Sequence, residues 1–342
     1  MKEVNVVLGW RLEESQRQQI AAVDPRLKVA DISLELLSHY RSVLPPHAII
    51  EEPFQPPEQV EAILREAEVL LSWWRFPRDL LERAPKLKWI QFTSAGVERS
   101  LTTEIIESPV LVTTASGIHA TPIAEYVLGV MLALVKGFPT CWASQQARRW
   151  HRLLVTELKE RSVGVVGLGS IGSEVARLAR AFGMRVLAAR RSATERRSGV
   201  DNVDELFPPQ ELPMLLAASD FVVLSLPLTP ETHHLIGQEA LRAMKPTSYL
   251  INISRGGVVD EAALVKALKE RWIAGAALDV FEREPLPPDS ELWGMDNLIL
   301  TPHISGTSDK YNGRVAELFC DNLRRYLAGL PLRNLVDKRR GY

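Results

Sequence analysis

Cysteine is scarce in this sequence, which has only Cys141 and Cys320 in 342 residues. Two cysteines this far apart form no disulfide framework and no metal-ligand spacing, and such low usage is typical of a reducing compartment. No cluster of histidine, cysteine and aspartate has metal spacing, and no serine-centred nucleophile elbow is present. The sequence therefore implies neither a bound metal nor a serine nucleophile of that type.

The sequence also lacks an excess of charge and a long apolar run. Its 41 Lys and Arg against 42 Asp and Glu give a formal net charge of −1, which argues against a nucleic-acid partner. The longest apolar run, residues 127–135, is too short to span a bilayer, and no signal-peptide apolar region begins the chain. We therefore expect a cytoplasmic protein without a membrane partner, and we interpret the basic cluster 338–340 as a solvated tail.

Strand-like and helix-like segments alternate through the first third of the chain. The length, with 46% hydrophobic and 24% charged residues, allows two globular cores. The alternation predicts an α/β domain with a mainly parallel sheet. Strands are predicted at 4–8, 48–50, 69–72 and 89–92, with a helix at 57–67.

The segment from Ile123 to Val135 is apolar on almost every side of the predicted helix. Such a helix must be buried, either in the core of its own chain or against another subunit. Both interpretations stay open at this point.

A glycine-rich turn follows the β-branched strand Ser162–Val166. Strand, Gly-x-Gly-x-x-Gly turn and amphipathic helix in this order are typical of dinucleotide binding, the alternative being a turn with no ligand. Gly167 allows the tight turn, Gly169 lets the backbone approach a pyrophosphate, and Gly172 lets the helix pack closely. The N–H groups that begin the helix would face the phosphates.

Further strands are predicted at 186–189, 221–226, 249–253, 274–280 and 298–300, with a helix at 261–271.

Basic residues follow the second strand of this predicted domain, where units that select NAD place an acidic residue for the ribose 2′-OH. Arg190, Arg191 and Ser192 stand there instead, Arg190 eighteen residues past Gly172. No carboxylate is evident that would repel a 2′-phosphate, and two guanidinium groups could bind it. We predict a preference for NADPH, with NADH as a second possibility; the alternative is a pair of solvated arginines.

Polar side chains follow the last three predicted strands, at the sheet edge where ligands bind in such folds. These are Arg255, Glu284 and His303. An arginine fork matches a carboxylate, a histidine titrates near neutral pH, and a glutamate beside it raises its pKa. Each residue alone has an ordinary structural explanation, but together they predict hydride transfer to a keto acid.

Five runs, GLGSIG, PLTPET, NISRGGVVDE, ALDVFEREPLP and TPHISG, resemble the D-isomer-specific 2-hydroxyacid dehydrogenases in order and spacing. The resemblance covers nearly the whole chain and points to the NADPH-dependent glyoxylate/hydroxypyruvate (2-ketoacid) reductase type. It implies two Rossmann-like α/β domains, with substrate entering the cleft between them. A nucleotide-binding domain, residues 113–304, would be inserted into a discontinuous flavodoxin-like substrate domain, residues 1–112 and 305–342. Members are commonly homodimers built on the helical segment that enters the nucleotide domain.

Carried onto this sequence, the resemblance makes His303 the acid/base, Glu284 its partner and Arg255 the cation that orients the substrate. Asp279 would hold the nicotinamide carboxamide, and the Ala95-Gly96 backbone would hold the substrate carboxylate. Substrate contacts are expected from Ala95, Gly96, Arg255 and His303. Cofactor contacts are expected from Gly167, Leu168, Gly169, Ser170, Ile171, Gly172, Arg190, Arg191, Ser192, Leu226, Pro227, Thr232, Ile253, Ser254, Asp279 and His303.

Two features depart from the family pattern. Arg190 stands where NAD-using members carry Asp, so members that use NADP are the better guide. The loop Ser94–Glu98 differs from the Gly-x-Asp version of many members, and from spacing alone it is either an anion-binding loop or an ordinary turn. Trp73, Trp74 and Arg75 line the cleft or form a buried aromatic pair.

The expected function is reduction of a 2-oxo acid, such as glyoxylate or hydroxypyruvate, to the D-2-hydroxy acid by hydride transfer from NADPH. His303 would donate the proton, and domain closure would exclude water. One alternative is an NAD-dependent phosphoglycerate dehydrogenase, which the lack of a long C-terminal regulatory extension disfavours. The other is a nucleotide-sensing, corepressor-like binding protein with little turnover.

Overall fold

The computed structural model describes residues 3–36, 56–72, 79–97 and 101–339. Two compact units divide the chain, residues 1–118 with 308–342 and residues 119–307. The sequence places these boundaries slightly earlier, at 112/113 and 304/305. The predicted strand at 48–50, the Trp73–Arg75 segment and Glu98 lie outside the described residues.

The first unit contains a five-stranded sheet in the order β2-β1-β3-β4-β5, the order of flavodoxin-like folds. All of its described strand pairs are parallel. The strands are β1 (Val4–Leu8), β2 (Leu27–Asp31), β3 (Val69–Ser72), β4 (Trp89–Phe92) and β5 (Leu111–Thr113). The helices are α1 (Glu14–Ala21), α2 (Glu58–Glu66), α3 (Leu80–Arg83), α4 (Thr103–Glu107) and, at the C-terminal end, α11 (Tyr311–Leu327).

Both faces of this sheet are covered, as parallel sheets require. Side chains alternate between the two faces along β1. Val6 and Leu8 pack with Phe319 of α11 in one apolar cluster. Val7 packs with Leu64 of α2 in another.

The second unit contains an eight-stranded sheet in the order β13-β12-β11-β10-β6-β7-β9-β8. All of its described strand pairs are parallel except the β8–β9 hairpin. The strands that follow β6 extend the sheet first on one side of β6 and then, from β10 onward, on the other side. This change of side between β6 and β10 is the switch point at which Rossmann folds bind their ligands. The strands are β6 (Ser162–Val166), β7 (Arg185–Ala189), β8 (Arg197–Val200), β9 (Val203–Phe207), β10 (Phe221–Leu224), β11 (Tyr249–Asn252), β12 (Gly275–Leu278) and β13 (Leu298–Leu300). The helices are α5 (Ala120–Val135), α6 (Phe138–Gln146), α7 (Ser170–Ala181), α8 (Leu212–Ala218), α9 (Gln238–Ala243) and α10 (Glu261–Lys269).

Helix α5 is buried within its own unit. Val127 and Met131 of α5 share an apolar cluster with Val175 and Ala179 of α7. Of the two interpretations of this apolar helix, the structure therefore shows a core within the chain. Large exposed apolar side chains follow the helix instead, at Phe138, Trp142, Trp150, Leu154 and Val155.

No single helix of the described residues is both long and apolar enough to cross a membrane. Helices α5 and α6 together reach the length and apolar composition of a membrane span, but the chain bends by 64° at the break between them.

The basic cluster at 338–340 is not wholly a solvated tail. Lys338 Nζ donates to three backbone carbonyls, those of Ile105, Ser108 and Val110, at 2.9, 2.5 and 3.1 Å. Burial lowers the pKa of Lys338. The solvated interpretation is therefore wrong for Lys338, because the C-terminal end of α4 presents carbonyl groups that an ammonium can satisfy.

Candidate active site

The glycine turn joins β6 to α7, as predicted. Gly167 has a φ of +100°, and a Cβ there would lie 2.6 Å from the carbonyl oxygen of Ser225. A Cβ on Gly172 would lie 2.1 Å from the carbonyl oxygen of Gly167. Both positions therefore require glycine, one for its conformation and both for close packing.

Gly169 faces open space at the start of α7. Nothing lies within 4 Å of the position that its Cβ would take, and it caps the helix without a side-chain hydrogen bond. Ser170 and Ile171 form the first turn of this helix, whose N–H groups carry partial positive charge. The turn thus fits a pyrophosphate in both shape and charge.

Other predicted cofactor residues shape the walls of this edge of the sheet. Three are buried, Leu168, Ile253 and Ser254. The Thr232 hydroxyl donates to the carbonyl of Pro227 at 2.8 Å and closes the loop after β10, where Leu226 packs on the apolar core. Ser192 is exposed. Their contacts with a cofactor stay predictions.

Arg190 stands beside the glycine turn, because the preceding Ala189 accepts a hydrogen bond from Gly167 N–H at 2.9 Å. Its Nη1 lies 2.9 Å from Oδ2 of Asp201. Its Nε is buried and makes no hydrogen bond within the described part of the chain. The expectation that no carboxylate lies here is wrong, since Asp201 reaches Arg190 from the turn between β8 and β9.

Arg191 is exposed and lies near the loop after β10. The pKa of Glu231 is lowered, first by a hydrogen bond from the Thr229 hydroxyl and in smaller part by the charge of Arg191. Both arginines therefore have carboxylates as neighbours.

His303 and Glu284 form a hydrogen-bonded pair at the carboxyl end of the sheet. His303 Nδ1 lies 2.8 Å from Oε2 of Glu284, and the other oxygen of Glu284 accepts from Phe281 N–H at 3.1 Å. The Glu284 bond occupies Nδ1, so Nε2 is the ring nitrogen that can face a substrate. His303 has a φ of +55°, which holds it in the left-handed region.

Within this pair, each group shifts the pKa of the other toward the charged form. The hydrogen bond to Glu284 raises the pKa of His303, and this outweighs the opposing effect of burial. Burial acts to raise the pKa of Glu284, but the bonds from His303 and Phe281 N–H outweigh it, so that pKa is lowered. The raised pKa of His303 and the lowered pKa of Glu284 together widen the pH range in which an imidazolium lies beside a carboxylate.

Arg255 follows β11 and acts electrostatically on both members of this pair. The hydrogen bond to Glu284 shifts the pKa of His303 most and burial shifts that of Glu284 most, and the charge of Arg255 acts in smaller part to lower each of them. The structure therefore brings the three predicted residues together. A Cβ on the adjacent Gly256 would lie 1.8 Å from the carbonyl carbon of Phe281. Only glycine allows the Arg255 loop to approach the Glu284 loop this closely.

Asp279 organises the loop that carries His303. It is fully buried, and its Oδ1 accepts from Thr301 Oγ1 at 2.5 Å and from Ile304 N–H at 2.8 Å. Its Oδ2 accepts from Ser305 N–H at 2.9 Å, and its carbonyl accepts from His303 N–H. The structure therefore shows Asp279 as an anchor of this loop, and its contact with a nicotinamide stays a prediction.

Tyr126 is a neighbour of this loop that the sequence analysis missed. Its hydroxyl lies 2.7 Å from Thr301 Oγ1, and burial raises its pKa to about 12. A tyrosine hydroxyl inside a nearly continuous apolar helix was the available signal, because a buried hydroxyl needs a partner.

Glu261 and Glu282 brace the segment that leads to Glu284. Glu261 Oε1 accepts from Glu282 N–H at 2.5 Å, and Glu282 Oε1 lies 2.7 Å from His234 Nε2. Burial raises the pKa of Glu261. His234 stacks on His233 with ring centroids 3.9 Å apart.

Ala95 and Gly96 lie in the first unit, in the loop after β4. The Ser94 hydroxyl donates to the Gly96 carbonyl at 2.8 Å and shapes this loop. Within the described residues, the backbone N–H groups of Ala95 and Gly96 donate to no acceptor. The contact of these amides with a substrate carboxylate stays a prediction.

In the ranges that the structure describes, no group of three His, Cys, Asp or Glu residues is placed to hold a metal ion.

The NAD-binding domain model of the D-isomer specific 2-hydroxyacid dehydrogenases matches residues 128–305. Among curated proteins, a glyoxylate reductase from Thermofilum pendens is 39% identical over 293 residues, which are 83% of this chain and 86% of the relative.

Two solved structures share the fold over essentially the whole chain. A D-isomer specific 2-hydroxyacid dehydrogenase from Xanthobacter autotrophicus Py2, in complex with NADPH and MES, has a TM-score of 0.79 at 32% identity and covers 100% of both chains. An NADPH-dependent glyoxylate/hydroxypyruvate reductase from Sinorhizobium meliloti, in complex with NADP and sulfate, has a TM-score of 0.76 at 26% identity. That match covers 99% of this chain and 100% of the other.

Proposed function

Because this chain belongs to the D-isomer specific 2-hydroxyacid dehydrogenase family, we propose that it reduces a small 2-oxo acid to the D-2-hydroxy acid with NADPH. The observation that carries this proposal is the His303–Glu284 pair, with Nδ1 and Oε2 2.8 Å apart and under the charge of Arg255. It lies at the carboxyl edge of the same sheet as the glycine turn.

A reduced nicotinamide supplies the hydride in this reaction. Residues 119–307 would hold it, with the pyrophosphate at the glycine turn and at the first N–H groups of α7. The buried Nε of Arg190, which has no acceptor in the described chain, supports a further anionic group at the end of β7.

The chain's own residues supply orientation and the proton. Arg255 would hold the substrate carboxylate with its planar fork, and the amides of Ala95 and Gly96 would add hydrogen-bond donors. His303 Nε2 would donate a proton to the oxygen that becomes the hydroxyl. Glu284 keeps the imidazole protonated and oriented before the transfer and stabilises its charge.

Glyoxylate and hydroxypyruvate are the proposed substrates. The named activities of the Thermofilum pendens and Sinorhizobium meliloti relatives support this choice. A cytoplasmic location is proposed as well, supported by the two free cysteines.

A homodimer through the segment after α5 is the proposed assembly. Trp150 and Leu154 are 93% and 101% exposed, and Trp142 lies on the same segment. Several large exposed apolar side chains within one segment support an interaction surface there.

Oxidation of NADPH and of NADH, followed by absorbance with a panel of 2-oxo acids, tests the proposed reaction. The panel contains glyoxylate, hydroxypyruvate, pyruvate, 2-oxobutyrate and phenylpyruvate. We expect faster turnover of glyoxylate or hydroxypyruvate with NADPH. Equal kcat/KM for the two cofactors would contradict the preference, and cofactor binding without turnover of any acid would favour a binding protein.

A further inference from the structure

Asp201 forms an ion pair with Arg190, the residue whose positive charge a 2′-phosphate would need. Arg190 Nη1 donates to Asp201 Oδ2 at 2.9 Å, while Arg190 Nε is buried without an acceptor within the described residues. The guanidinium is therefore held by a carboxylate at one nitrogen and lacks an anion at another.

The turn that carries Asp201 is built to hold it in place. Val200 pairs with Val203, so Asp201 and Asn202 form a two-residue hairpin turn, with φ values of +51° and +62°. Positive φ at both central residues is the type I′ pattern that suits the twist of a hairpin. Aspartate and asparagine tolerate this conformation better than most residues.

We propose that Asp201 is a cofactor-specificity residue that reduces the preference of this chain for NADPH over NADH. A carboxylate on Arg190 neutralises part of the charge offered to a 2′-phosphate, and it repels that dianionic group directly. A ribose 2′-OH carries no charge, so binding of NADH is spared this repulsion. The inference rests on the proposed NADPH-dependent function.

The same geometry explains why the residues at the end of β7 do not by themselves predict the choice between NADPH and NADH. In units that select NAD, the acidic residue comes directly after the second strand. Here Arg190 takes that place, and the carboxylate arrives eleven residues later, from Asp201. Cofactor choice thus depends on the hairpin as well as on the strand end.

Substitution Asp201→Asn tests this role with little disturbance of the turn, because asparagine accepts left-handed backbone and matches the shape of aspartate. Dissociation constants for NADPH and NADH are measured by cofactor fluorescence at low ionic strength. We expect D201N to bind NADPH about three- to ten-fold more tightly and NADH within about two-fold of the parent.

Asp296→Asn is the matched control. Asp296 forms a more exposed ion pair with Arg271, with Nη2 and Oδ1 2.8 Å apart, before the start of β13. The substitution removes the same charge at the amino end of the sheet, so the constants for both cofactors should stay within about two-fold of the parent.

The measurement has two clear contrary results. If D201N weakens NADPH binding, or changes both cofactors equally, Asp201 does not oppose the 2′-phosphate and the inference is wrong. Arg190→Ala separates this from failure of the proposed function. If R190A weakens NADPH binding selectively while D201N leaves selectivity unchanged, only the role of Asp201 fails. If R190A leaves selectivity unchanged, Arg190 does not hold the 2′-phosphate and the inference is wrong. Equal binding of NADPH and NADH by the parent would instead contradict the proposed NADPH preference.

Discussion

The Nδ1 atom of His303 lies 2.8 Å from Oε2 of Glu284, although the two residues follow different strands of the sheet. Three further contacts keep this pair in place. Asp279 holds the loop of His303, Glu284 bonds to Phe281 N–H, and Glu261 bonds to Glu282 N–H. These contacts fix the orientation of the His303 ring, as the proposed role of proton donor requires.

Glu284→Gln should move the pH dependence of 2-oxo acid reduction. The folded-state pKa of His303 is raised chiefly by its hydrogen bond to Glu284, so the reactive imidazolium persists until pH rises through that raised pKa. Without the carboxylate the pKa falls, and the alkaline fall in kcat/KM for reduction should occur at lower pH. Profiles from pH 5 to 9 check this, and an unchanged alkaline limb would show that Glu284 does not set the titration.

Arg255→Lys should separate charge from geometry at the substrate carboxylate. Lysine keeps the charge but lacks the planar fork, so kcat/KM for glyoxylate should fall about 10- to 100-fold while the NADPH dissociation constant changes little. Arg271→Lys, at an exposed ion pair before β13, is the control and should leave kcat/KM unchanged. Full activity of R255K would show that Arg255 does not bind the substrate carboxylate through two hydrogen bonds.

Glutamate at two exposed apolar positions should break the proposed homodimer. Trp150→Glu with Leu154→Glu places charge on the segment after α5, where both side chains are exposed. Light scattering after size exclusion should give a dimer for the parent and a monomer near 38.3 kDa for the double variant. Leu330→Glu, also at an exposed leucine, should leave the dimer intact. A monomeric parent would contradict the assembly.

Lys338→Met should destabilise the first unit without touching the proposed chemistry. Methionine keeps most of the apolar stem but leaves the carbonyls of Ile105, Ser108 and Val110 without the ammonium. Loss of these charge-assisted bonds should lower the free energy of unfolding by about 1.5–3 kcal/mol, as measured by urea denaturation. Lys136→Met, which removes a single exposed lysine–carbonyl bond, should cost less. Equal stability of K338M and the parent would show that these bonds contribute nothing net.

The buried strands were predictable from sequence because both of their faces are apolar. The fully buried β3, β4 and β6 have the predicted bounds, as do β1 and the partly buried β13. β2 (Leu27–Asp31) was missed, since it is an edge strand in which Lys28 is exposed and Asp31 is partly exposed. In the β8–β9 hairpin, β8 is the edge strand and is largely exposed, and β9 carries the acidic residues Asp204 and Glu205, so both were missed, although Asp201-Asn202 is a recognisable turn pair.

Site residues were predictable where they stand directly after strands. Arg255, Glu284 and His303 meet that condition, and the parallel order of β11, β12 and β13 brings them to one edge. Tyr126 lies within α5, and Asp201 follows β8, an edge strand that the sequence pattern did not predict. Their places depend on a hairpin and on the packing of α5, which no local pattern specifies.

Steady-state kinetics of His303→Asn tests the central claim most directly. Asparagine keeps a polar side chain and tolerates the positive φ at this position, but it cannot donate a titrating proton. With glyoxylate and NADPH we expect kcat to fall about 10²- to 10⁴-fold, while the NADPH dissociation constant stays within about two-fold of the parent. Near-normal turnover by H303N would contradict His303 as the proton donor and, with it, the proposed reaction mechanism.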